Sequence, residues 1–482
     1  LNHDLVMIEG WMLEQTSKLL EQTAKPFTNH QLDVVIRSLS KNEDIPVRYQ
    51  GKTPFGRIMA YPINWADRQY QRVKPLYSEF IEDLQQMLSD KSTTPERNQI
   101  RARLQDPRAQ RRRRNLPPVY RRLFNPVPLD LPEFYVERPE LEKKCLRAVC
   151  DWGYGDHNTI LIKGERGIGK RTFIHNLVPI KVYDLNPVFQ QTSIETISIP
   201  EDAQSEADIC RAFAPLFQDN IQNLDQICQR LQDQNKRQII IVENAIKTYW
   251  RTQEGIELCR KFMSLLNSSS DKILWIVLMD TPAVTLLNTI IDLEDYFTHT
   301  FEVEPFKEDE LAEMIMNRHR VSGFDLTFDT PQPRLLQRAQ HPISTSEMRR
   351  NPKKDFLKKL YQLSHGNPLQ ALLLWLHSSS LDEEKETCIH VEPLPEHTVE
   401  YIEPMTLHKR IILAALIQHG TLDQATISNI INHSQEFVQN ELQHLERFGI
   451  IERIAGSAHE SYRICDMAIV DLSSQLRQRN LI

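Results

Sequence analysis

Between residues 130 and about 305 the chain alternates short apolar runs with amphipathic stretches. The apolar runs predict strands at Thr159–Lys163, Glu195–Pro200, Gln238–Val242, Lys272–Met279 and His299–Val303, with helical spacing between them, as over Ile256–Leu266. Strands and helices in alternation predict an α/β fold with a parallel sheet flanked by helices. Further on, Glu308–Arg318 and Phe356–Leu376 have helical periodicity, Asp329–Lys354 is polar and predicts a loop, and Ser378–Glu386 is a hydrophilic connector. The chain closes with three predicted helices, His408–His419, Asp423–Ile431 and Gln435–Phe448. Two strands follow, Ile450–Ala455 and Ser461–Cys465, around Gly456–Glu460. Near the start, Leu76, Tyr77, Phe80, Ile81, Leu84, Met87 and Leu88 recur at helical spacing and predict a mainly helical N-terminal domain over 1–92.

At 482 residues the chain is too long for one core, so three or four domains are expected. A net charge of −7 and 40% apolar residues suit an ordinary soluble globular protein. The seven cysteines include no C-x-x-C pair, which predicts reduced thiols and a cytoplasmic setting. No apolar run approaches a membrane span and no signal peptide is present, although a start at Leu1 rather than Met suggests a piece of a longer protein. Composition shifts sharply over 93–129, where Arg97, Arg101, Arg103, Arg108, Arg111, Arg112, Arg113, Arg114, Arg121 and Arg122 crowd together. This tract reads either as a solvated linker, or helix paired with an acidic neighbour, or as a contact for nucleic-acid phosphates or anionic lipid through Arg111–Arg114. No aromatic residue is interleaved in the cluster, which weakens base stacking as its purpose.

The chemistry concentrates at Gly164-Glu-Arg-Gly-Ile-Gly-Lys170-Arg-Thr172, where three of the chain's 14 glycines fall. Glycines there let backbone N–H groups crowd a phosphate, and a strand before the run with a helix after it is the setting such a loop needs. Lys170 would reach the β- and γ-phosphates, and the helix N-terminus would add its partial positive charge. The hydroxyl residue expected directly after the lysine, which holds Mg²⁺, is Arg171, and Thr172 stands one residue further on. The strand Ile239–Val242 leads into Glu243-Asn244, the candidate acidic motif. There an Asp would ordinarily face the metal and a Glu would polarise the attacking water. With Glu243 first, Asn244 orients water but accepts no proton; shifted by one, Glu243 takes the catalytic place and Val242 that of the metal ligand. One carboxylate is missing either way, so binding of ATP or ADP is expected, with hydrolysis slow or absent.

These elements resemble the AAA+/STAND branch of P-loop NTPases, which includes NACHT, NB-ARC and origin-recognition-like proteins. Phe134-Tyr-Val136-Glu-Arg138-Pro-Glu-Leu141 is similar to the segment that opens this module, with Glu137 in place of the usual Gly, and Gly366-Asn-Pro368 is similar to its lid motif. The order of the last elements resembles a winged helix. The resemblance covers about residues 130–482 and implies an ATPase core over 130–305, a helical lid over 306–380, and a connector with winged helix over 381–482. It implies phosphate contacts from Gly164, Gly167, Gly169, Lys170, Arg171 and Thr172, an adenine bracketed by Val136, Arg138 and Pro368, and metal or water held by Thr172 and Glu243. It departs from the family at Met279-Asp280-Thr281, which carries no arginine sensor, and at Leu369. Arg318 or Arg320 is a candidate finger toward a neighbouring subunit, and Glu436, Glu441 and Glu446 of the third terminal helix speak against DNA reading. Three functions follow: a nucleotide-controlled switch for assembly with protein partners and with itself, as in a bacterial immunity system; a DNA-associated ATPase such as a loader or transposition regulator; and a scaffold with an idle site.

Overall fold

The computed structural model describes Leu104 and most of residues 107–482; residues 1–103, 127–131 and 330–350 lie outside the described residues, as do several shorter stretches. The expected N-terminal domain, its Leu76–Leu88 stripe, Arg97, Arg101 and Arg103, and most of the Asp329–Lys354 loop therefore fall outside them.

Two short helices come first, α1 (Pro107–Asn115) and α2 (Pro118–Leu123). The arginine tract over these residues is helical and packed rather than a linker. Its apolar positions Leu116, Tyr120 and Phe124 are buried at 1% exposure or less in a cluster with Phe356, Leu360 and Trp375. Phe124 stacks on Trp375 at 5.7 Å, and the Trp375 indole donates to the Tyr120 hydroxyl at 3.0 Å. Burial of one such side chain is worth about 1.5–3 kcal/mol, so the three together offset much of the backbone entropy lost in ordering these short helices. Arg112 turns inward as well and pairs with Glu392 at 2.5 Å.

After α3 (Pro139–Tyr154), which starts on a proline and stops on Gly155 at φ 116°, the sheet begins. Its elements are β1 (Thr159–Gly164), α4 (Lys170–Leu185), β2 (Ser193–Ser198), α5 (Glu206–Arg211), α6 (Leu224–Asp233), β3 (Gln238–Glu243), α7 (Gln253–Ser268), β4 (Ile273–Asp280), α8 (Thr281–Ile291) and β5 (His299–Glu302). The five strands are parallel in the order β2-β3-β4-β1-β5, an α/β sheet flanked by helices. Side chains alternate between faces along each strand, so Ile239 and Ile241 enter one core with Phe173 and Trp152 while Ile240 and Val242 enter the other with Trp275 and Phe262. β2 starts two residues earlier than its apolar run suggests, because it is an edge strand with exposed Glu195 and Thr196.

A second unit follows: α9 (Glu308–Ser322), β6 (Asp325–Phe328), α10 (Pro352–Ser364), α11 (Pro368–Ser378), β7 (Ser379–Leu381) and β8 (Cys388–Val391). The expected hydrophilic connector is in part a strand: β7 pairs antiparallel with β8, which also pairs parallel with β6. Its serines read as solvent-loving, yet the Ser379 hydroxyl is buried and donates to the Trp375 carbonyl at 2.7 Å. Arg318 of α9 faces inward, donating to the Leu123 carbonyl at 2.8 Å, and burial pulls its pKa down to about 10. It is a strut under α2 and not a finger, whereas Arg320 is exposed.

The last unit comprises α12 (Leu407–His419), β9 (Thr421–Asp423), α13 (Gln424–Ile431), α14 (Gln435–Arg447), β10 (Ile451–Ala455), β11 (Glu460–Ile464) and α15 (Ile469–Gln478). The hairpin β10-β11 gains β9 as a third antiparallel strand. The three glutamates of α14 do not form one acidic face. Residues five apart on a helix are turned by about 140°, so Glu441 is buried against Lys409 at 3.6 Å and Glu446 pairs with Arg453 at 3.1 Å. Only Glu436 of the three lies exposed. Among the described residues no helix is long and apolar enough to cross a membrane.

Candidate functional site

The glycine run forms the turn between β1 and α4, at the carboxyl edge of the sheet. Gly167 at φ 78° and Gly169 at φ 97° hold left-handed backbone that other residues resist. A Cβ on Gly164 would lie 2.9 Å from the Val303 carbonyl oxygen, so glycine is needed there for space. The loop closes with Ile168 N–H on the Glu165 carbonyl at 3.2 Å and Phe173 N–H on the Gly169 carbonyl at 2.8 Å.

Lys170 opens α4 and folds back over its own loop. Its ammonium donates to the carbonyls of Gly164 at 2.9 Å and Glu165 at 3.0 Å, and to Asp280 Oδ1 at 2.6 Å. An ammonium has three N–H groups, and these three contacts engage them all. Asp280 arrives because β4 lies next to β1 with Gly164 and Asp280 in register. In the sequence Asp280 marks only a strand end without an arginine; the strand order is what sets this carboxylate beside the loop. The hydroxyl of Thr281, one residue on, is buried without a hydrogen-bond partner, a donor left over at the same edge.

A second ion pair stands beside the first. Arg171 Nε lies 3.0 Å from Glu243 Oε1, and His175 Nε2 lies 3.4 Å from the same oxygen. The Glu243 side chain is 13% exposed and that of Arg171 59%. His175, one turn along α4 from Arg171, is a site residue that the motif alone did not reveal; i, i+4 spacing on a helix would have found it. Asn244 sits in left-handed backbone at φ 57°, and its amide donates to the Ser198 hydroxyl at 3.2 Å, across from Glu243 in the β2–β3 register. Thr172 is partly buried in the first turn of α4, where its carbonyl accepts from Asn176 at 2.8 Å.

The loop is covered from two sides. Leu369, in the first turn of α11, donates its N–H to the Gly167 carbonyl at 3.3 Å, and a Cβ on Gly167 would meet that leucine at 2.4 Å. Asn367 caps α11 and donates to the Arg166 carbonyl at 2.9 Å. From the last unit, Arg477 pairs with Glu165 at 2.5 Å and Asp466 with Arg166 at 3.2 Å. Between them lies a cavity of about 210 Å³ lined by Ile168, Pro305, His365, Asn367, Ile469 and Ser473, among others. Binding pockets for small molecules typically run about 300–1,000 Å³, so this cavity is smaller than most.

The residues expected around the adenine lie elsewhere than on this cavity. Val136 is buried beside Phe306, and Pro368 is buried as the first residue of α11. Arg138 donates to the carbonyls of Glu304 and Ile168 and lies 4.2 Å over the Phe306 ring. Burial lowers its pKa, against the pull of Glu310.

The loop with its two left-handed glycines and the leftover Thr281 hydroxyl fit a phosphate group, which reaches Lys170 by drawing its ammonium off Asp280 or the loop carbonyls. The residues present do not fit a magnesium ion in the usual place. A metal there would face the guanidinium already held by Glu243, where the chain offers no hydroxyl directly after Lys170.

No family model matches the chain, and no curated protein matches its sequence. Among solved structures it is similar to the ORC1 protein of Aeropyrum pernix in complex with DNA, at 11% identity over 75% of this chain and 97% of that one, with a TM-score of 0.41. It is similar to the Aeropyrum pernix ORC2 protein in its ADPNP-ADP complexes, at 14% identity over 75% and 98%, with a TM-score of 0.43. It is also similar to the RuvB Holliday junction branch migration motor of Thermotoga maritima, at 13% identity over 70% and 95%, with a TM-score of 0.27. At such identities and scores no residue's role passes from those proteins to this one.

Proposed function

We propose that this chain is an ATP- or ADP-binding switch of the AAA+/STAND kind whose site holds nucleotide and cleaves it slowly or not at all. The observation that carries the reading is the double pairing at the sheet edge. Glu243 is bound to Arg171 and His175, and Asn244 is turned onto Ser198, so neither is poised as the base for an attacking water. The lid helix α11 and helix α15 both touch the loop, which supports nucleotide acting through the placement of the winged-helix unit and thereby on protein partners and self-association.

A second reading, an idle scaffold, draws support from one feature: Lys170 is already paired to a protein carboxylate, Asp280. A DNA-associated function gains only a little. Arg111, Arg113, Arg114 and Arg122 are exposed, but Arg112 is taken up by Glu392.

Purified protein is denatured and its supernatant resolved by anion exchange. ATP or ADP at near one equivalent is expected, and Lys170→Ala is expected to remove it. A folded protein that carries no nucleotide and binds none when ATP or ADP is added leaves the scaffold reading. Rapid Mg²⁺-dependent phosphate release in a single turnover would reject the slow site.

A further inference from the structure

We infer that Arg171 supplies the counter-cation at this site, so that ATP and ADP bind through Lys170 and Arg171 with no requirement for Mg²⁺. The inference rests on the nucleotide-binding reading above and adds which positive charge balances the phosphates.

Arg171 stands where a hydroxyl would ordinarily face the metal, in the first turn of α4 and directly after Lys170. Its pairing with Glu243 uses Nε, and a guanidinium has four further N–H donors on its two terminal nitrogens. More than half of the side chain is exposed, so those donors are not sealed under protein. A planar guanidinium matches two phosphate oxygens at once, which a lone ammonium does not.

Glu243 takes a different part from the one its motif suggests. Buried to 13% exposure and anchored at the end of β3, it holds the guanidinium by Nε and fixes the direction of the fork. His175 meets the same Oε1 from the next turn of α4 and steadies the carboxylate. Glu243 and His175 are thus positioning residues for Arg171. Lys170 and Asp280 form the neighbouring pair, so each carboxylate at this edge has its own cation. A divalent ion placed where the Arg171 guanidinium stands would be repelled by it.

The test is calorimetric titration of the full chain with ATP and with ADP, in excess EDTA and in excess MgCl₂. For the natural protein the two dissociation constants are expected to agree within about threefold, since the released counter-charge comes from the protein. Arg171→Thr restores the hydroxyl and frees Glu243, so its binding is expected to weaken by at least about tenfold in EDTA and to recover with Mg²⁺. Arg171→Lys keeps the charge and is expected to remain insensitive to EDTA. It also serves as the probe if Arg171→Thr does not fold, as judged by circular dichroism. Nucleotide bound by the natural protein only when Mg²⁺ is present overturns the inference and leaves the switch standing. Binding in neither buffer overturns both.

Discussion

The last unit meets the five-stranded core at the glycine loop and beyond the end of β3, and these two contacts are made of different material. At the phosphate loop the contact is ionic and wet: Arg477 on Glu165 and Arg166 on Asp466, with side chains between about a quarter and a half exposed and a cavity between them. Beyond the end of β3 it is polar and more deeply buried. Lys247 donates to the Thr421 carbonyl and hydroxyl, and His419 stacks on Tyr249 at 5.7 Å. Burial pushes the Lys247 pKa down to about 8 and that of His419 down to about 3. Exposed ion pairs are worth about 0–1 kcal/mol each, whereas an unsatisfied buried donor costs about 1–3 kcal/mol. The loop contact therefore opens at much lower cost than the Lys247 contact.

Substitutions on either side test that contrast. The largest effect is expected for Gly167→Ala, which adds left-handed strain and drives a methyl into Leu369. A loss of about 2–4 kcal/mol in urea unfolding is expected, together with loss of nucleotide binding. Next comes Thr421→Val, which leaves the Lys247 ammonium short of one acceptor and is expected to cost about 1–3 kcal/mol by the same unfolding measurement. An effect near zero would mean that water reaches this contact.

The pH dependence is smaller and has a definite sign. Folding holds the His419 pKa near 3, below its ordinary 6.5, so the unfolded chain binds the proton first. Its share of stability is full above pH 6.5 and is lost as the pH falls toward 3. His419→Phe keeps the ring on Tyr249, and its melting temperature is expected to fall less on acidification than that of the natural protein. Lys247 adds a change at the alkaline end: its contribution is full above pH 10.5 and falls away as the pH drops through 8, and Lys247→Met is expected to flatten that slope. Smallest is Arg477→Ala, expected to cost under about 1 kcal/mol at low salt and nothing measurable at high salt.

The parts of the fold that depend on neighbours along the chain are legible in the sequence. The five strands of the sheet follow from apolar runs, the loop from glycines that tolerate positive φ, and the terminal helix and hairpin order from periodicity and turn residues. The sequence also shows that Arg171 and Asn244 stand where a hydroxyl and a carboxylate are expected, since that is a matter of spacing from Lys170 and from β3. Tertiary structure alone decided which charges meet. Asp280 reaches Lys170 across 110 positions because β4 pairs with β1, and Arg171 reaches Glu243 because α4 lies beside the end of β3. The same holds for the arginine tract, which reads as solvated from composition but carries Leu116, Tyr120 and Phe124 into the core around Trp375. Local spacing fixes what each element is, because hydrogen bonds and rotamers act within a few residues. Which elements pack together is settled by burying apolar area from distant parts of the chain, and ion pairs form where that packing leaves opposite charges side by side.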